Sequence, residues 1–200
     1  NSLIRDLFDS CECNSPLSQL AAINPEQLGA IELNSDATYE YADLASGSYP
    51  LQLKQLNKII LSSAPSRARR IARNGDLLIS TVRPNLMGHA LVQIKSERII
   101  ASTGYTVVRL NNPSLLPIIA CISLSEEFRR YCASKILGGL YPAIRSSDVS
   151  EFKIPPEEEL LKNNFPRLCG GILKQMCTIL PKRMLELDTL SKNFIQKNLF

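Results

Sequence analysis

The chain has 200 residues, 44% of them hydrophobic and 21% charged. That is enough apolar content to bury a core and too much for a disordered segment. It contains no run of 18 uncharged apolar residues and no apolar signal core after Asn1, which argues against a membrane span or an export signal and makes a cytoplasmic protein the expectation. The missing initiator methionine points to a fragment or a processed product. Net charge is +4, unevenly spread. Residues 54–95 hold eight Lys or Arg against one acid, Asp76, so this segment carries +7 and the remainder −3. Cationic charge gathered on one structured part is the footprint of a phosphate-backbone binder, with a solvated loop as the plainer alternative.

In chain order, Cys11 and Cys13 come first as a CxC pair; the other four cysteines, Cys121, Cys132, Cys169 and Cys177, stand singly in apolar surroundings. Structural zinc favours CxxC pairs with histidine help, and the chain has one histidine, His89. Buried, reduced thiols are the expectation, with no metal. From residue 24 to 149 short strands and turns dominate: EYADLA, DLLISTV, HALVQI, RIIAS and YTVVRL are the strand candidates. DLLISTV is apolar nearly throughout, as a strand buried on both faces is, whereas TVVRL alternates as a half-buried strand does.

Helical spacing of Ile118, Ile119, Ile122, Leu124, Phe128, Tyr131 and Cys132 predicts a helix over 117–137, breakable near Ser125 and stopped by Gly138 and Gly139. A loop and short strand follow, up to Pro155 and Pro156. Beyond them, Leu173, Met176, Leu180, Met184, Leu187, Leu190 and Phe194 form one apolar stripe of a helical tail that Pro181 kinks or restarts. Such a stripe needs a partner helix, in this chain or another.

Catalytic signatures are scarce. The sequence lacks GxxxxGK[ST], GxSxG and the glycine-rich and acidic-Pro-Pro-aromatic or Pro-Cys motifs of DNA methyltransfer. Asp148, Glu151 and Lys153 spell a short match to a magnesium-dependent nuclease site, a pattern that mostly arises by chance. Two loops are instead rich in DNA-compatible groups, SSAPSRARR with TVRPN and GGLYPAIRSSD: Arg pairs with guanine, Asn with adenine, Ser, Thr and backbone NH with phosphate.

Taken in order, YEYADLASGS, PSRARRIARNGDLLISTVRPNL, IIASTGYTVVRL and LSEEFRRYCASKILGGLYPAIRSSDVSEFKIP resemble the target-recognition domain of type I restriction-modification specificity subunits, over most of residues 39–155. The tail ILPKRMLELDTLSKNFIQKNLF is similar to the spacer helix of that family. One departure is IPPEEELLKNNFPRLCGG, where the family has a proline-rich turn entering an acidic-acidic-Gln helix start.

The resemblance implies an α+β fold: a target-recognition domain (1–156) with a twisted, mostly antiparallel sheet and flanking helices, then a long helical spacer and dimerisation region (157–200). It implies a non-catalytic reader of double-stranded DNA that takes one half of a bipartite site, without cofactor. Its partners would be methyltransferase subunits, a restriction and translocase subunit through the complex, and a second recognition domain or homodimer partner through the C-terminal helix. Arg67, Arg69, Arg70 and Arg73 would contact phosphates and some bases, with Arg83 and Asn85 better placed for base edges. Ser102, Thr103 and Tyr105 would touch backbone, and Tyr141 and Arg145 would complete the surface. The alternatives are the recognition domain of a fused type II restriction-methylation enzyme, the nuclease, and a module docking an acidic protein.

Overall fold

A computed structural model describes residues 2–53, 56–136, 142–162 and 164–179. Its strands are β1 Ser15–Pro16, β2 Ala21–Ile23, β3 Thr38–Ala42, β4 Gly47–Ser48, β5 Gln52–Leu53, β6 Asn57–Ile60, β7 Ala68–Ala72, β8 Leu77–Ser80, β9 Ala90–Leu91, β10 Ile99–Ser102, β11 Tyr105–Leu110 and β12 Lys153–Ile154. Its helices are α1 Ser2–Ser10, α2 Leu17–Leu20, α3 Ala30–Leu33, α4 Leu116–Ser123, α5 Glu126–Lys135, α6 Ser146–Glu151, α7 Glu157–Leu160 and α8 Phe165–Lys174.

Two four-stranded sheets form the centre of this α+β fold. The first runs β2-β11-β8-β9 and is antiparallel throughout. The second runs β6-β3-β10-β7, with β3 and β10 the one parallel pair. β10 passes into β11 through the turn at 102–105, so one strand of each sheet is covalently joined to the other.

The period-two alternation of β8 explains the layering. Leu77 and Ile79 join a core shared with Ile118, Ile122 and Phe128 of α4 and α5, while Leu78 joins Ala42, Ile99, Tyr105 and Val107 between the sheets. All four residues of β8 are buried, as a strand covered on both faces requires. YTVVRL differs from its expected half-burial: Tyr105 through Val108 are all buried, because β11 also lies between two layers and only Arg109 and Leu110 reach the margin.

The helix expected over 117–137 is two, α4 and α5, parted at Leu124 and Ser125. Ser125 Oγ accepts from the Phe128 amide at 3.2 Å and starts the second helix. The Gly138–Gly139 stop lies outside the described residues. Within the segment read as loop and strand, 146–151 forms α6, started by an Asp148 carboxylate that accepts from the Arg145 amide at 2.7 Å. HALVQI pairs only over Ala90 and Leu91.

Beyond Pro156, Leu160, Cys169 and Leu173 are buried in the principal core, and α8 packs on α4. The stripe therefore begins on the domain itself; its members from Leu180 onward lie outside the described residues. All six cysteines are unpaired, with Cys121, Cys132 and Cys169 buried. No helix among the described residues is long and apolar enough to cross a membrane.

Candidate nucleic-acid interface

One end of the sheet pair carries a cleft of about 700 Å³, lined by Arg67, Arg83, Tyr49, Leu86, Ser80 and Gly88 among others. Backbone bonds stitch the loops that form it. The Thr103 amide donates to the Arg67 carbonyl at 2.8 Å, and the Thr81 amide and hydroxyl both donate to the Gly104 carbonyl, at 2.9 and 2.8 Å. Val82 pairs with Ala143, and the Arg83 amide donates to the Pro142 carbonyl at 2.8 Å. Four segments, at Arg67 and at residues 81–83, 103–104 and 142–143, are thereby held at one edge.

Arg83 and Met87 bracket the 3-10 turn Pro84–Leu86 with left-handed backbone, φ +48° and +51°. Neither is glycine, so the turn is held by its surroundings: Pro84 is buried, and the Leu86 and Met87 amides donate to Arg83 and Pro84 carbonyls at 2.9 and 3.0 Å.

Gly47 is needed for close approach. A Cβ there would collide with the Tyr105 hydroxyl and come within 2.6 Å of the Gly88 carbonyl. This contact seats the loop carrying Tyr49 against the far wall of the cleft. Gly47→Ala is expected to lower unfolding free energy by about 1–3 kcal/mol, the usual cost of overpacking. Urea melts check it, and a variant as stable as the parent would contradict the packing described.

The structure separates the predicted residues into groups. Arg67, Arg83, Asn85, Thr103 and Arg145 are exposed, and among the described residues none of the three arginines has a carboxylate partner. Arg69 is half-buried in β7. Arg70 is also half-buried; its Nη2 donates to Ser146 Oγ at 3.3 Å, its Nη1 is buried without a partner, and burial lowers its pKa. Arg73 bonds the Glu26 carboxylate at 2.6 Å, so its charge is already met.

Ser102 and Tyr105, expected to touch DNA backbone, are interior. The Ser102 hydroxyl accepts from the Gly104 amide at 3.2 Å, and burial pushes the Tyr105 phenol up to about 12. Ser102 ends β10 and Tyr105 begins β11, and both strands are buried at this point. Tyr141 lies outside the described residues.

Two basic residues escaped the sequence reading. Arg129 and Arg130 on α5 are exposed and share the Glu126 carboxylate, at 2.6 and 3.3 Å. With Asn85 they line a groove of about 270 Å³ on the other side of the Pro84–Leu86 turn. Only the contact between α5 and that turn reveals them; in sequence they are an ordinary polar face of a helix.

The nuclease-like residues are otherwise engaged. Asp148 caps α6, Lys153 Nζ donates to the Asn14 carbonyl at 3.2 Å, and Glu151 is exposed at the helix end. Among the described residues no three His, Cys, Asp or Glu side chains converge as a metal site. His89 is fully buried and accepts from the Ser80 amide.

This α+β fold, two layered sheets with α4, α5 and α8 packed against the first of them, is that of the target-recognition domain of type I restriction-modification specificity (HsdS) subunits. The HsdS subunit from Thermoanaerobacter tengcongensis superposes with a TM-score of 0.64 at 25% identity, over 92% of this chain and 45% of that one. A chain from a structure addressing complex assembly and conformational transition of the type I restriction-modification system gives 0.65 at 26%, over 91% and 45%. The S subunit from M. genitalium, at 13% identity and 0.51 over 92% and 43%, shares the fold. The chain thus spans less than half the length of these proteins. No protein-family model and no curated protein matches the sequence.

Proposed function

We propose that this chain recognises one half of a bipartite site in double-stranded DNA as part of a type I restriction-modification specificity component. In this reading it is non-catalytic and directs methyltransferase subunits, and through them a restriction and translocase subunit, to that site. Residues 1–156 form the body of the reader; the 157–200 region packs on it through Leu160, Cys169 and Leu173 and continues as the spacer, which meets a second recognition domain or a second copy of the chain. The observation that carries the reading is the cleft where Arg67 and Arg83 lie exposed without an acid partner. Support comes from 25–26% identity to specificity-system structures over 91–92% of the chain.

Arg67, Arg83 and Arg145 with Thr103 are assigned to phosphate and groove contacts, and Asn85 to a base edge. Arg129 and Arg130 extend the basic surface beyond the turn. Arg69 and Arg70 contribute charge from the strand behind it. Recognition within a fused restriction-methylation enzyme would use the same surface.

Duplex titration tests the reading. In the Arg67→Ala/Arg83→Ala variant the slope of log K against log salt is expected to fall by about 2, because each lost phosphate contact removes about one released counterion. Affinity should drop at least tenfold, on the scale of charged hydrogen bonds. Arg73→Ala, whose charge Glu26 already meets, should do much less. Unchanged slope and affinity in the double variant would overturn the assignment.

A further inference from the structure

The cleft holds more than charge. Leu86 is 63% exposed and Tyr49 59%, and both line the same concavity as Arg67 and Arg83. A single exposed apolar residue needs no explanation, but two large ones lining one cleft together with two arginines form a local apolar patch. The patch is also rigidly presented. Leu86 sits on the turn bracketed by left-handed Arg83 and Met87, and Tyr49 on the loop that Gly47 lets close against Gly88. Backbone strain kept on a protruding turn is the pattern of an element shaped for contact.

Resting on the DNA-reading proposal, the chemistry of the partner can be narrowed. A base pair offers one apolar group to a protein in the major groove, the 5-methyl of thymine; the remaining edge groups there are hydrogen-bond donors and acceptors. We propose that Leu86, with Tyr49 in the same cleft, is a specificity-determining seat for a thymine 5-methyl, while the arginines of that cleft hold the phosphates that bring it into the groove. Asn85, next in the turn, is placed for the hydrogen-bonding edge of a neighbouring base.

The test uses the 200-residue chain and duplexes selected by it from a random pool at low salt. Replacing each thymine by deoxyuridine, one at a time, removes the methyl and nothing else. At one position the parent protein should lose about fourfold in affinity, the worth of one buried methyl group. Leu86→Asn should weaken binding to the thymine duplex by a similar factor and bind thymine and deoxyuridine duplexes alike at that position, with an unchanged salt slope. Because Leu86 is exposed, the variant's thermal melt should match the parent's.

Three results overturn the proposal: a selected site without thymine, a parent indifferent to deoxyuridine at every position, or full discrimination retained in Leu86→Asn. In each of these the protein still binds DNA, and the general reading stands. If the pool yields no bound duplex at all, both fall together.

Discussion

Asp76→Ala is expected to destabilise the protein by about 3–5 kcal/mol, a large part of the 5–15 kcal/mol that holds a typical domain together. Asp76 is buried, and its carboxylate accepts from Arg109 Nε at 2.9 Å, Arg109 Nη2 at 2.8 Å and the Arg73 amide at 2.8 Å. Arg109 also bonds Glu26, whose pKa is lowered chiefly by that hydrogen bond, with Arg73 adding to it. Removing Asp76 leaves a guanidinium only a quarter exposed, with half of its fork unmatched. The penalty therefore comes from the stranded charge more than from the lost attraction.

A double-mutant cycle separates the two contributions. Asp76→Ala with Arg109→Met should be less destabilised than the sum of the single variants, since neither buried charge is then left alone. Additive losses in urea unfolding would show that the pair is not coupled. The network also explains why the segmental charge of +7 overstates the binding surface: Glu26, outside that segment, meets Arg73 at the far end of β7, whereas Arg67 and Arg83 at the cleft have no carboxylate partner among the described residues.

Local pattern carried the strands well where burial was complete. DLLISTV reads as doubly covered because every residue after Asp76 is apolar or small, and all four residues of β8 are buried. The break at Ser125 was visible because a serine before two glutamates is a helix-start signal. YTVVRL misled because Thr106 looks polar, yet it is buried with its hydroxyl 2.8 Å from Ser146 Oγ, a partner forty residues away. The same non-local logic sorted the arginines. Sequence alone makes Arg67, Arg70 and Arg73 equivalent; Glu26 claims one, burial claims part of another, and only tertiary structure assigns them. Arg129 and Arg130 became visible only once the turn after β8 packed on α5.

His89 should make the protein acid-sensitive well above the carboxylate range. Its ring is fully buried, packed edge-on to Phe128 at 5.8 Å, and burial lowers its pKa from 6.5 to about 4. Nδ1 accepts from the Ser80 amide at 3.0 Å, which fixes the neutral tautomer with the proton on Nε2, and a second proton would have to displace that bond. The unfolded chain binds the proton near pH 6.5 and the folded chain only near 4. The stabilisation is thus complete above pH 6.5 and is lost as pH falls through that window. A shift of this size corresponds to about 3 kcal/mol at the acid end. Chemical unfolding at pH 7.5, 6.5, 5.5 and 4.5 should show the decline. His89→Asn, whose amide oxygen can still accept from Ser80, should start less stable but lose that slope. The cleft wall depends on the same bond, because Ser80 and Gly88 line it on either side of the buried ring. A flat profile in the parent down to pH 5, or an identical slope in His89→Asn, would show that the imidazole is not the titrating group.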